Sequence, residues 1–241
     1  MGKSVFLAGA SGVIGRRLVP LLVKAGHQVT GTTRSKEKAD ALRAQGASPV
    51  LVDAFDLAAL KDAMQMAAPE VIIHQLTDLS LFNDEAKRAE ALDRNSRIRE
   101  EGTANLVAAA LLSGAQRLIA QSISFVYAPG TKPHKESDSL NFTDPMFKRS
   151  SEGVAALERE VTKTPGIDGI VLRYGWFYGP GTGADRPRFR GSVHVDAAAQ
   201  AALLAVERGR PGIYNVAEDD GDVDIGKARA ELGFNPDFRI V

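Results

Sequence analysis

Apolar positions along this chain recur in two periods, about 2 residues in some segments and about 3.6 in others. Val5, Phe6, Leu7 and Ala8 form an unbroken apolar run, as in a strand buried on both faces. Ile14, Leu18, Leu21, Leu22 and Ala25 then repeat at helical spacing up to Gly26. Pro20 falls inside that helix, where it is expected to remove one hydrogen bond and introduce a kink. Residues 28–33 read as a second strand, 36–45 as a helix closed by Gly46, and 49–52 as a short third strand. Residues 57–66 are helical, and 71–73 form a fourth strand that runs into His74, Gln75, Leu76 and Thr77. A long helical stretch over 84–113 ends at Gly114. The pattern then gives a strand at 117–124, a helix at 147–163 and a strand at 169–172. A small-residue helix at 197–206 and a strand at 212–216 follow. Residues 128–145 carry three prolines and read as a polar surface flap, and 179–192 as irregular. Strand and helix alternate throughout, the signature of a parallel sheet with right-handed crossovers.

The first strand runs into Gly9-Ala10-Ser11-Gly12-Val13-Ile14-Gly15, which opens the first helix. In that context the motif predicts a dinucleotide cradle. Gly9 turns the chain, Gly12 lets a pyrophosphate approach the backbone, and Gly15 lets helix and strand pack closely. Ser11, Val13 and Ile14 bring the free N–H groups and positive dipole end of the helix to the phosphates. The predicted fold is therefore α/β, a Rossmann-like doubly wound parallel sheet of about seven strands. Residues 1–178 are assigned to the NAD(P)-binding domain. Residues 179–241 form a C-terminal part that partly returns to the sheet and partly builds a small substrate lobe.

Composition narrows the partners. The 241 residues carry 30 Lys plus Arg against 30 Asp plus Glu, so no net charge draws the chain to nucleic acid or to a membrane. No apolar run approaches the roughly 20 residues of a membrane helix. The opening Met-Gly-Lys-Ser-Val-Phe lacks a signal-peptide pattern, and Phe6 breaks the myristoylation pattern. The chain has no cysteine, which removes disulfides, thiol nucleophiles and thiolate metal sites and fits a reducing cytoplasm. No metal site is expected.

The order of these segments and their local sequences resembles the extended and atypical short-chain dehydrogenase/reductases, the NAD(P)-dependent epimerase/dehydratase family. Besides the glycine turn, the matching segments are Val-Asp-Ala-Phe-Asp at 52–56, Val-Ile-Ile-His at 71–74 and Glu-Gly-Thr-Ala-Asn-Leu at 101–106. Further on come Leu-Arg-Tyr-Gly-Trp-Phe-Tyr-Gly-Pro-Gly at 172–181, His-Val-Asp at 194–196, Tyr-Asn-Val at 214–216 and Ala-Arg-Ala-Glu-Leu-Gly-Phe at 228–234. The resemblance covers nearly the whole chain. It implies an oxidoreductase or epimerase-like protein acting on a small-molecule carbonyl or sugar-derived substrate, with a homodimer among its expected assemblies.

Two departures qualify that expectation. The family pairs Ser or Thr with Tyr-x-x-x-Lys, the tyrosinate being the acid/base and the lysine lowering its pKa. Residues four beyond Tyr127, Tyr174, Tyr178 and Tyr214 are Thr131, Tyr178, Thr182 and Glu218, so the motif is missing. The natural alignment puts Phe147 at the tyrosine and Ser151 at the lysine, and phenylalanine has no proton to move. This favours a non-catalytic dinucleotide-binding sensor as the alternative to an enzyme. The second departure is length. The segments at 182–192 and 217–227, which normally build the substrate lobe, are short; either the lobe is reduced or its residues are missing from this chain.

The site residues follow. The second strand ends Thr32-Thr33-Arg34 without a carboxylate, and Arg34 suits a 2′-phosphate, so NADP is favoured with NAD as the alternative. In the resemblance Asp53 meets the adenine amino group with the Ala54 backbone beside it, whereas Asp56 suits the helix cap. Gln75, Leu76 and Thr77 are expected to line the cofactor, and Tyr174 to touch the nicotinamide. His74 reads as a hydrogen-bonded core histidine, and His194 as a structural helix start. The family's catalytic hydroxyl falls nearest Ile123, one position from either Ser122 or Ser124. Those two serines and Tyr127 are the hydroxyls left for catalysis at that strand end.

Overall fold

A computed structural model of the chain describes residues 2–82 and 84–240. Its strands are β1 (Ser4–Ala8), β2 (Gln28–Thr33), β3 (Ser48–Leu51), β4 (Val71–His74), β5 (Arg117–Ile123), β6 (Asp168–Tyr174), β7 (Trp176–Tyr178), β8 (Ser192–His194) and β9 (Gly212–Val216). The helices are α1 (Val13–Lys24), α2 (Lys36–Ala44), α3 (Leu57–Ala67), α4 (Arg88–Arg97), α5 (Thr103–Ser113), α6 (Pro145–Lys163) and α7 (Val195–Ala205). Seven strands form one parallel sheet in the order β3-β2-β1-β4-β5-β6-β9. The order reverses between β1 and β4, and in open α/β sheets ligands bind outside the strand carboxyl ends at that point.

The strands are apolar on both sides because helices cover both faces. Val5, Leu7, Ile73, Ile119, Ile170 and Leu172 point into the layer of α1, α2 and α7. Phe6, Ala8, Ile72, Leu118, Ala120 and Val171 point into the layer of α3, α5 and α6. Six alanines of α7 are buried, and their small side chains let this helix lie close against Ile14, Leu18 and Leu22 of α1. α7 starts at His194, whose Nδ1 accepts the Asp196 N–H at 3.2 Å.

The sequence pattern and the structure part in three places. α1 runs unbroken through Pro20, which lies on the exposed side where water can bond the carbonyl that proline leaves free. Segment 179–192 is bounded by β7 and β8, which pair parallel to each other as a separate ribbon. Strands of three residues carry too little periodicity to be read. The flap is also anchored: the His134 N–H donates to the Asp222 carbonyl at 3.0 Å, and the His134 carbonyl accepts from the Asp224 N–H at 2.7 Å. α4 and α5 are one helical rod interrupted by a π turn at Ile98–Gly102.

Candidate functional site

The three glycines of the turn answer different demands. A Cβ on Gly15 would lie 2.3 Å from the Gly9 carbonyl oxygen, and one on Gly9, at φ +87°, would lie 2.7 Å from the Gln75 carbonyl oxygen. Both glycines are required by the chain's own packing. A Cβ on Gly12 would meet only the Gly9 carbonyl oxygen, at 3.3 Å, and Gly12 is exposed. The protein leaves that space open, which suits a phosphate group. No side chain caps the N-terminus of α1, and its first turn holds no acidic residue, so its dipole and N–H groups are available to an anion. These residues fit the pyrophosphate of a dinucleotide.

The turn is braced by the end of β2. The Gly9 N–H donates to Thr32 Oγ1 at 3.1 Å, and the Ser11 hydroxyl to Thr33 Oγ1 at 3.3 Å. Arg34 beyond them is mostly exposed and lies 3.6 Å from Asp53. Asp53 in turn accepts the Phe55 N–H at 3.0 Å, and the Ala54 carbonyl is held by Asn105 Nδ2 at 2.9 Å. The two expected recognition residues, one for a 2′-phosphate and one for adenine, are thus each other's partners. Asp56 caps α3 by accepting the Ala59 N–H.

At the end of β4, His74 is buried with both ring nitrogens used. Nδ1 accepts the Leu76 N–H at 3.2 Å, so the proton resides on Nε2, which faces Thr103 Oγ1 at 3.1 Å. Burial, helped by the charge of Arg99, pulls its pKa down to about 4. Gln75 is buried, while Leu76 and Thr77 are half-buried. Asn95 then fixes the following loop by bonding both the N–H and the carbonyl of Asp78.

Tyr174 is linked to the end of β4 through Gln75, whose Nε2 donates to its hydroxyl at 3.4 Å. It is fully buried, and its hydroxyl donates to the Ala198 carbonyl of α7 at 3.2 Å. It shares strand parity with Ile170 and Leu172 and therefore points into the α1–α7 layer.

Two of the three hydroxyls expected to do chemistry are also committed to the interior. The Ser122 hydroxyl donates to Glu158 Oε1 at 2.9 Å and is fully buried. Arg173 grips the same carboxylate with Nε and Nη2, each at 2.7 Å. Tyr127 donates to Asn215 Oδ1 and accepts from Arg173 Nη1, both at 2.7 Å. Burial lifts its pKa above the ordinary tyrosine value, the wrong direction for a base. Ser122 and Tyr127 are therefore corrected to members of a buried polar network. Ser124 is buried, and among the described residues no hydrogen bond engages its hydroxyl.

The positions aligned with the family's catalytic residues do come together. Ile123 and Phe147 belong to one small apolar cluster with Phe125, Val126, Leu140 and Val154. Ser151 is fully buried, and its hydroxyl donates to the Asn141 carbonyl at 2.7 Å. A hydrocarbon pair thus occupies the two positions that the sequence resemblance matches to a hydroxyl and a tyrosine. Phe125 also stacks on Trp176 at 3.6 Å between ring centres, and Trp176 meets the exposed Phe189 at 5.2 Å. This aromatic ledge extends the apolar surface outward.

Arg99 escaped the sequence reading. It lies on the π turn, in line with Asn95, Ser96, Gly102 and Thr103, which are all buried. The signal was available: a charge on the inward stripe of an otherwise amphipathic helix.

A family model described as NAD(P)H-binding matches residues 9–206. The chain belongs to this NAD(P)H-binding family. A 3-diazoavenalumate denitrifying reductase from a Streptomyces species is 41% identical over 239 residues, covering 90% of this chain and 76% of the relative. A ketoreductase of a farnesylated dihydroquinoline oxide from Stigmatella aurantiaca is 29% identical over 246 residues, covering 91% and 69%. The crystal structure of UDP-glucose 4-epimerase from Thermotoga maritima shares the fold with a TM-score of 0.79 at 18% identity, covering 98% of this chain and 94% of that one. The chain is thus an NAD(P)-binding protein of the oxidoreductase/epimerase-like kind, with the Rossmann-like sheet of the epimerase/dehydratase group. Among the described residues no helix is long and apolar enough to cross a membrane.

Proposed function

We propose that this chain is an NAD(P)H-dependent reductase for small aromatic electrophiles that accept a hydride and need no proton from the protein. The observation that carries this reading is the apolar pair Ile123 and Phe147 at the positions of the family's hydroxyl and tyrosine. When bound, the reduced nicotinamide supplies a hydride. Gly9, Ser11, Gly12, Val13 and Ile14 would hold the pyrophosphate, and Asp53 and Ala54 the adenine. Gln75, Leu76 and Thr77 would line the nicotinamide half. Arg34 would favour NADP over NAD.

A ketone reduced in this pocket would leave an alkoxide with no acid beside it, and a positioned acid is typically worth about 10²–10⁴ in rate. An aryl diazonium ion has no such need. A hydride supplied to the aryl carbon would be matched by cleavage of the C–N bond and departure of N2, with charge balanced by the oxidised dinucleotide and no proton drawn from the protein. The denitrifying reductase from Streptomyces, 41% identical, supports this class. The exposed ledge of Trp176 and Phe189 suits a planar substrate, and Ser124, at the end of β5 beside Phe125, would be the hydroxyl to contact it. A cytoplasmic setting belongs to the same reading, supported by a chain without cysteine.

The test is NADPH oxidation with a panel of aryl diazonium salts, aromatic ketones and aldehydes. Diazonium reduction is expected to exceed ketone reduction by at least 100-fold and to stay level from pH 6 to 9. Faster ketone reduction with a bell-shaped pH profile would overturn the reading. No oxidation by any acceptor, with dinucleotide firmly bound, would favour the sensor instead.

A further inference from the structure

Among the described residues no carboxylate pairs directly with Arg99, although Glu158 lies near enough to act on its charge. The acids around Arg99 are already taken. Both oxygens of Glu158 are held by Arg173, one of them shared with Ser122. Both oxygens of Glu100 are held by Arg149, which also bonds Asp93. Among the described residues no hydrogen bond or ion pair engages the Arg99 guanidinium. The side chain is half-buried, and burial pulls its pKa down to about 10 against the opposing pull of Glu158. The charge lies close enough to depress buried His74 at the crevice end of β4. A half-buried cation without a partner is unfavourable, and an anion that pairs with it removes that cost. The backbone around it is also irregular: Arg99 sits in the π turn Ile98–Gly102, and such turns within helices are frequent at functional sites.

We propose that Arg99, set between Asn95, which holds Asp78, and Thr103, which holds His74, is an anion receptor at the carboxyl end of β4 and seats a carboxylate of the substrate. This rests on the reductase reading and names the substrate class more closely, as aromatic carboxylates. One unpaired positive charge calls for a monoanion, and the planar guanidinium fork matches a carboxylate with two parallel hydrogen bonds.

The experiment is a calorimetric titration of the NADP⁺-loaded full chain with benzoate, and with benzamide as its neutral isostere. The parent is expected to bind benzoate at least tenfold tighter than benzamide. Arg99→Gln is expected to bring the two within twofold of each other, and Arg99→Lys to restore part of the preference. Both variants are expected to melt no lower than the parent and to keep its NADP⁺ affinity. Equal affinities in the parent, absence of saturable benzoate binding, or a preference that survives Arg99→Gln would each overturn the proposal. So would loss of NADP⁺ affinity in both variants, since the guanidinium would then serve the cofactor. If Arg99→Gln does not fold, the weaker benzoate preference of Arg99→Lys carries the test. The hydride reading separates cleanly. A parent that reduces carboxylated and uncarboxylated diazonium salts equally well keeps that reading and loses this one. A parent that binds benzoate through Arg99 but reduces neither keeps this one and loses that.

Discussion

The turn after β1 and the carboxyl end of β5 lie at the same edge of one parallel sheet, and they have fared differently. At the turn, Gly12 is left small although no protein side chain needs the room. At the end of β5, side chains of catalytic type are spent on packing: Ser122 on Glu158, Tyr127 on Asn215 and Arg173, and Ser151 on Asn141. One region keeps room that the chain's own packing does not use, and the other is filled by the fold. Binding and proton transfer are thus separable in this architecture, because the cradle is built from backbone and the acid/base from side chains.

The comparison breaks most visibly at Glu158. It forms a buried pair with Arg173, with side chains 7% and 4% exposed. Glu158→Ala strands that guanidinium and is expected to cost about 3–5 kcal/mol in urea unfolding, while leaving dinucleotide affinity within twofold. A variant of parental stability that has lost cofactor would place Glu158 in the ligand site and merge the two regions.

Gly12→Val tests the other side. Dinucleotide affinity is expected to drop more than about 100-fold, near 3 kcal/mol, with the unfolding midpoint close to the parent's. Gly15→Val, whose Cβ would collide with two backbone carbonyls, is expected not to fold. Similar destabilisation by both would mean that Gly12 too serves only the chain.

His74 lies between the two regions. With its pKa held near 4 in the folded chain against an ordinary 6.5, the unfolded chain binds a proton that the folded chain refuses. Its contribution is therefore complete above pH 6.5 and falls as pH drops toward 4, by about 1.4 kcal/mol per pH unit. Unfolding free energies at pH 7.5, 6.5, 5.5 and 4.5 should show that loss in the parent and a shallower one in His74→Gln. Equal slopes would show that the imidazole is not kept neutral.

What the sequence made legible follows the same division. The strand–glycine–helix turn could be read because its requirements are local and fall on the backbone. The strand ends were harder. Ser122 and Tyr127 looked free because their partners Glu158, Arg173 and Asn215 come from α6, β6 and β9, which only the folded sheet brings near. The interior place of Tyr174 follows from its strand parity with Ile170 and Leu172. The alignment of Phe147 with the missing tyrosine was readable, but that Ile123 packs in the same cluster needed the structure.

The smallest expected effect concerns Arg34. Its side chain is 70% exposed, and its partner Asp53 is 42% exposed at 3.6 Å, so the pair itself adds little to stability. Toward a 2′-phosphate the guanidinium gains a doubly charged acceptor, but it must share itself with Asp53 in the open solvent. We expect Arg34→Ala to weaken NADPH by about 1 kcal/mol, roughly fivefold, and to leave NADH within experimental error. Asp53→Asn sharpens the point. It frees Arg34 for the phosphate while keeping a hydrogen-bonding group beside the adenine, so the NADPH/NADH affinity ratio is expected to rise. Fluorescence titration of both cofactors against the parent and the two variants measures this directly. A parent with equal affinities, or a ratio that falls in Asp53→Asn, would show that Arg34 serves Asp53 and the loop rather than the cofactor's 2′-position.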